Sequence, residues 1–178
     1  MNICVFCGSS SGLNPIYANS ARELGSLLAT QQHTLIYGGG NIGLMGIVAD
    51  AALENKGRVI GVIPDFLMQK EVGHKGLTEL EIVPSMHERK KRMADLSDAF
   101  VTIPGGWGTL DETAEILTWK QLGLIHQPVG ILNVNGFFDT LLQQLNIMVL
   151  EGFLKSENLK SLKVGHNPEH LLSQLIPQ

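Results

Sequence analysis

The sequence predicts an α/β fold: a mostly parallel sheet covered by helices on both faces, forming a single domain over residues 1–178. Three observations lead there. Short apolar runs bounded by turn residues alternate along the whole chain with longer segments of helical periodicity, the pattern of successive β-α units. Runs such as Ala99-Phe100-Val101-Thr102-Ile103 lack a solvent-facing polar alternation, as strands buried on both faces do. The 20 glycines among 178 residues exceed the usual share and supply the many turns such a chain needs. This length supports one full core, and no repeat, low-complexity tract or linker divides it.

The bulk charge narrows the partners. A net charge of −4 argues against a broad basic face for nucleic acid, while a local anion site stays open. No apolar run approaches the roughly 18 residues of a membrane span. Met1-Asn2-Ile3-Cys4-Val5 enters a strand directly, without the basic start and apolar segment of a secretory signal. Two cysteines make no disulfide framework, so a reducing cytoplasm is expected.

Taken in order, Ile3 to Ser9 is a strand and Gly8 to Gly12 the small polar turn after it. That turn sits at the carboxyl end of the first strand, where open α/β sheets collect ligands. Cys4 and Cys7 form a C-x-x-C, but strand residues three apart face opposite ways, so buried thiols are expected rather than a redox pair or a zinc site. Pro15 to Gln31 is a helix with Ile16, Ala21, Leu24, Leu27 and Leu28 as its apolar stripe. Leu35-Ile36-Tyr37 is the second strand, followed by Gly38 to Gly46 and a helix to about Asn55. Gly38 to Gly43 fits G-x-G-x-x-G between strand and helix. It follows the second strand rather than the first, and only Asp65 stands near the expected acid position. A nicotinamide site is therefore disfavoured, and a turn whose backbone amides line a pocket is preferred.

Arg58 to Ile63 is the third strand, Pro64 to Gly76 a loop or short helix carrying Glu71, His74 and Lys75, and Leu80 to Val83 the fourth strand. Ser85 to Ser97 is a helix with a Ser cap and Glu88 at capping-box spacing. Met86, Arg89, Met93 and Leu96 share one face, which puts Arg89 in the apolar stripe. A buried guanidinium needs a carboxylate or phosphate partner. The alternative is that its stem packs while its head reaches water.

The strand ending at Ile103 runs into Pro104-Gly105-Gly106-Trp107-Gly108-Thr109 and a helix from Thr109 to Leu122. Glycines at a strand-to-helix turn let the backbone approach a ligand closely, and the helix start offers free N–H groups and a positive dipole end to a phosphate. Thr109 and Glu112 have capping-box spacing, so Glu112 is open to a structural or a functional reading. Trp119 reads as core or interface. Pro128 to Val134 is a strand, Phe137 to Leu150 a helix, Leu162-Lys163-Val164 an edge strand, and Pro168 to Ile176 a closing helix.

Several segments together resemble one family. Met86-His87-Glu88-Arg89-Lys90 and Pro104 to Glu112 are similar to the M-H-x-R-K and P-G-G-x-G-T-x-x-E motifs of the Lonely-Guy (LOG) phosphoribohydrolases. Cys4 to Ser10, Tyr37 to Gly46 and Thr118 to Gly123 extend the likeness over nearly the whole chain in family order. The resemblance implies a Rossmann-like fold and hydrolysis of the N-glycosidic bond of a nucleoside 5′-monophosphate, giving a free base (a cytokinin or adenine) and ribose 5-phosphate. It assigns Arg89 and Glu112 to catalysis. It assigns Gly105, Gly106, Trp107, Gly108 and Thr109 to the phosphate loop. Glu71, Lys90 and Thr118 match further substrate-binding positions, and Gly8, Ser9, Gly39, Gly40 and Met86 are further candidates for substrate binding. Before Glu71 stands Met68-Gln69-Lys70, where relatives often carry Pro-Arg. The resemblance also implies a homodimer or larger assembly.

No His and carboxylate cluster has metal-ligand spacing, and no cofactor is expected. Two other classes compete: a non-catalytic nucleotide or molybdenum-cofactor carrier, and a pyridoxal-phosphate lysine decarboxylase. The first leaves Arg89 and Glu112 without a purpose. The second needs a Schiff-base lysine, and neither Lys90 nor Lys120 has a recognisable motif around it.

Overall fold

The computed structural model of the chain describes residues 1–68 and 73–176. Seven strands form one sheet in which every pairing is parallel: β1 (Asn2–Phe6), β2 (Thr34–Tyr37), β3 (Val59–Pro64), β4 (Glu79–Val83), β5 (Ala99–Thr102), β6 (Val129–Leu132) and β7 (Leu162–Gly165). Their spatial order is β4-β3-β2-β1-β5-β6-β7. The chain walks outward from β1 to one edge, then returns beside β1 as β5 and walks to the other edge. The β1/β5 boundary is therefore the topological switch point, where a crevice opens beyond the strands' carboxyl ends.

Helices α1 (Pro15–Thr30), α2 (Gly43–Glu54) and α8 (Pro168–Leu175) cover one face. The core there holds Leu24, Leu28, Leu44, Val48, Leu171 and Leu175 against Ile3, Val5, Leu35 and Val101. The one-turn helix α3 (Asp65–Met68) follows β3, and helices α4 (Met86–Asp95), α5 (Trp107–Gln121), α6 (Asp139–Leu150) and α7 (Ser156–Ser161) cover the other face. Met93 and Ile116 pack there on Cys4, Phe6, Ile36 and Phe100, with Leu141 and Leu159 at the margin. Consecutive residues of β1 thus serve opposite cores. Cys4 and Cys7 fall in different ones, both buried and free, and burial pushes both thiols up. That is the alternation expected of the C-x-x-C.

Local signals set most boundaries. Asn14 caps α1 by accepting from the Ile16 N–H, with Pro15 at the first helical position. Ser85 caps α4 by accepting from the Glu88 N–H. Several boundaries differ from expectation, three of them near the site or in an element not expected. Strand β1 ends at Phe6 rather than Ser9, because the chain turns away once the Gly8 N–H has bonded the Pro104 carbonyl. Helix α5 starts at Trp107, two residues before Thr109, with Gly106 as an N-cap that supplies no side-chain bond. The short segment before β7, to which the sequence assigns no element, contains α7. No described helix is long and apolar enough to cross a membrane.

Candidate active site

Two glycine turns meet at the switch point. The Gly8 carbonyl accepts from the Leu44 N–H at 3.0 Å and more weakly from Met45 at 3.4 Å, so the amino end of α2 is occupied by backbone. Gly43, at φ +60, lies against the Ser9 and Ser10 backbone. On the other side of Gly8, the Gly105 turn approaches so closely that a Cβ there would lie 2.1 Å from Thr109 Oγ1 and 2.8 Å from the Gly8 nitrogen. Only glycine fits. The amino end of α5 is different. No side chain caps it, and a Cβ on Gly106 or Gly108 would meet nothing within 4 Å. Of the two glycine-led helix starts, α5 is the one left open to an anion.

A cleft of about 200 Å³ lies over that helix start. Gly8, Ser9 and Gly106 to Thr109 form one wall, Met45, Leu67 and Met86 an apolar one, and Arg89 with Glu112 the end between them. Arg89 is 9% exposed and Glu112 8%. The guanidinium does not reach out to water: its Nη2 lies 3.7 Å from Glu112 Oε1. That separation is an ion pair without a hydrogen bond. Among the described residues, Arg89 Nη1 donates to the Met86 sulfur at 3.8 Å and Arg89 Nε has no partner. A buried guanidinium this poorly satisfied is arranged to meet an acceptor that enters the cleft.

Gly38 makes room for that arginine. A Cβ on Gly38 would lie 1.7 Å from Arg89 Nη2. Sequence reasoning missed this residue. Its signal was the Tyr37-Gly38 junction at the end of a central strand, read only as a backbone turn. Gly39 and Gly40 have another job. The Gly39 carbonyl accepts from the His74 N–H, and Gly40 bridges Gly73, which ties the returning loop to the β2 turn. His74 is itself held by Asp50, 2.8 Å from its Nε2.

The electrostatics of Glu112 differ from the simplest expectation, in which Arg89 keeps it ionised. Burial pushes its pKa up to about 7; Arg89 pulls it down but does not overcome the desolvation, and Asp111 adds to the rise. The capping-box reading of Glu112 also fails, because Thr109 is not the N-cap and Glu112 lies beyond the first turn of α5.

The remaining expected positions are distributed unevenly. Lys90 is not among the cleft-lining residues; its ammonium sits 3.0 Å from Asp111 Oδ2 and 3.1 Å from Glu115 Oε2. Trp107 is 89% exposed at the rim. Thr118 is exposed further along α5 and lines a separate apolar cavity between α5, α6 and α7. Glu71 lies outside the described residues. Among the described residues, no group of three or more His, Cys, Asp or Glu side chains is placed to hold a metal ion.

Fold and site together define a Rossmann-like α/β protein with a buried acid–arginine pair beside an open, glycine-led helix start. Comparison with known proteins narrows the class. Residues 45–175 match the family described as "Possible lysine decarboxylase". The chain is 44% identical over 173 residues to the cytokinin riboside 5′-monophosphate phosphoribohydrolase LOG7 of Arabidopsis thaliana, covering 97% of this chain and 80% of that one. It is 52% identical over 152 residues to the probable cytokinin riboside 5′-monophosphate phosphoribohydrolase LOGL9 of Oryza sativa subsp. japonica, covering 85% and 67%. The chain belongs to the LOG family. The molybdenum cofactor binding protein of Rippkaea orientalis shares the fold alone, with a TM-score of 0.72, 23% identity and coverage of 97% and 93%.

The decarboxylase wording of the family description finds no support in Lys90 or Lys120. Lys90 is locked between two carboxylates that favour its charged form. Lys120 donates to the His126 and Gln127 carbonyls.

Proposed function

We propose that the chain hydrolyses the N-glycosidic bond of adenosine 5′-monophosphate and its N6-modified forms, releasing adenine or a cytokinin and ribose 5-phosphate. The observation that carries this reading is the Arg89–Glu112 pair, buried beside the uncapped start of α5. A 5′-phosphate seated on the Gly106–Thr109 amides presents its ribose to Glu112, close to one helical turn away. Cleavage builds positive charge on the sugar. A desolvated carboxylate stabilises that charge and takes a proton from the attacking water as the water oxygen bonds the anomeric carbon, while the base departs with the electron pair of the broken C–N bond and takes up a proton from solvent. Phosphate anchoring fixes the geometry for that attack. Arg89, whose Nε has no partner among the described residues, pairs with Glu112 across 3.7 Å and donates to substrate oxygens. The apolar wall of Met45, Leu67 and Met86 suits a purine face or an N6 alkyl group.

The same reading makes the protein a cytoplasmic homodimer. Helix α6 has no fully buried residue although it carries Leu141, Leu145, Ile147, Met148 and Leu150, and Leu122, Leu124 and Phe153 are exposed near it. Thr118 is away from the cleft of its own subunit, so a substrate role for it requires a second copy.

Steady-state base release from AMP, N6-modified AMP, GMP, CMP and adenosine tests the proposal. Release from AMP, with adenosine at least ~100-fold poorer because it lacks the anchor, is the expected outcome. Equal rates on AMP and adenosine, or stoichiometric binding without turnover, overturn it.

A further inference from the structure

The Arg89–Glu112 pair does not hold itself together. The two groups stand 3.7 Å apart without a hydrogen bond, on different helices. A second cluster of charges joins the same two helices beside it. Lys90, next to Arg89 on α4, places its ammonium between Asp111 and Glu115, the residues one before and three after Glu112 on α5. The Lys90 and Glu115 side chains are only 13% and 21% exposed, so this bridge is shielded well beyond an ordinary surface pair. On its other flank α4 is gripped by Arg92, whose Nε and Nη2 donate to the two Glu81 oxygens on β4 at 2.6 and 2.8 Å.

We propose that Lys90 and Glu115 are positioning residues: their bridge docks α4 on α5 and sets the distance between Arg89 and Glu112. The proposal rests on the assignment of Glu112 as the reacting carboxylate. It also gives the bridge a second consequence. Glu112 faces Arg89 and Lys90 from α4, Asp111 and Glu115 from its own helix, and the Cys4 and Cys7 thiols from β1. Lys90 favours the ionised carboxylate, while Asp111 and Glu115 oppose it. Neutralising the two ends of the bridge must therefore move the titration of Glu112 in opposite directions.

The test compares the full chain with Lys90→Met and Glu115→Gln, measuring kcat and KM for AMP across pH. The Glu112 carboxyl is also titrated by carbon NMR on labelled protein. Loosening the docking is expected to lower kcat about 10-fold or more with KM changed less, since small misplacements at a reacting group are costly. The Glu112 titration should move up in Lys90→Met and down in Glu115→Gln, by about half a pH unit or more. Lys90→Arg, which keeps the cation, should restore most of kcat. Shifts in the same direction, no shift, or a Lys90→Met effect confined to KM overturns the proposal. If the wild-type chain releases no base, the hydrolase reading fails, and the NMR titration still decides the electrostatic coupling by the sign of the two shifts. If Lys90→Met does not fold, a Glu115→Gln titration that stays put or moves up overturns the proposal by itself.

Discussion

Glu112→Gln should make the protein a poorer enzyme and, above neutral pH, a more stable one. The substitution keeps the shape of the side chain and removes its charge. In the folded chain burial raises the Glu112 pKa from 4.5 to about 7. The native state therefore binds this proton more tightly than the unfolded state does. Wild-type stability from this group is full below the unfolded value and falls as pH rises toward 7. At about 1.4 kcal/mol per pH unit, the gap amounts to about 3 kcal/mol once the carboxylate is fully ionised. For a chain of this size that is on the order of 6–12 °C in Tm. Thermal unfolding at pH 5 and pH 8 reads it directly. The Tm difference between Glu112→Gln and wild type should shift in favour of the variant by about three quarters of that amount from pH 5 to pH 8, the rest of the loss falling below pH 5. Base release from AMP should meanwhile fall about 100-fold or more, the scale of a lost catalytic group. A Tm difference that stays constant with pH, or moves against the variant, would refute the claim that desolvation dominates the Arg89 attraction.

Other expectations follow from the same geometry. Gly38→Ala puts a methyl 1.7 Å from Arg89 Nη2, so the guanidinium must move. We expect kcat/KM to fall about 100-fold, with a calorimetric Tm lower by only a few degrees. Gly108→Ala adds a methyl facing open space at the start of α5. Denaturant titration should show stability unchanged or raised by up to about 1 kcal/mol, while KM for AMP rises at least ~10-fold if the phosphate seats there. An unchanged KM would place the anion elsewhere. If the ionised form of Glu112 is the active one, kcat/KM should climb with pH through the region of 7 and level off above it; a profile that falls through that region would assign the carboxyl an acid role instead.

The fold was legible because its signals are local. Buried parallel strands betray themselves as apolar runs, and Asn14-Pro15 and Ser85 announce helix starts in a few residues. The start of α5 was placed two residues late because Gly106 caps without a side chain, so no residue type marks the boundary. Helix α7 was missed because six residues carry too little periodicity. In the site, the stripe through Met86, Arg89 and Met93 showed that Arg89 faces inward. It could not show whether the head returned to water, since that depends on Gly38, a strand end far away in sequence.

By itself the sequence determined the alternation of strands and helices, the two glycine turns, the inward arginine and the family resemblance. All of these are written in spacings of a few residues. Only the tertiary structure decided which glycine-led helix start stays open, because the Gly8 carbonyl that occupies α2 comes from the turn after a different strand, β1. Only it decided that Glu112 titrates near neutrality, because desolvation is set by everything packed around a carboxyl. And only it joined Lys90 to Asp111 and Glu115, because ion pairs between helices depend on how the sheet brings those helices together.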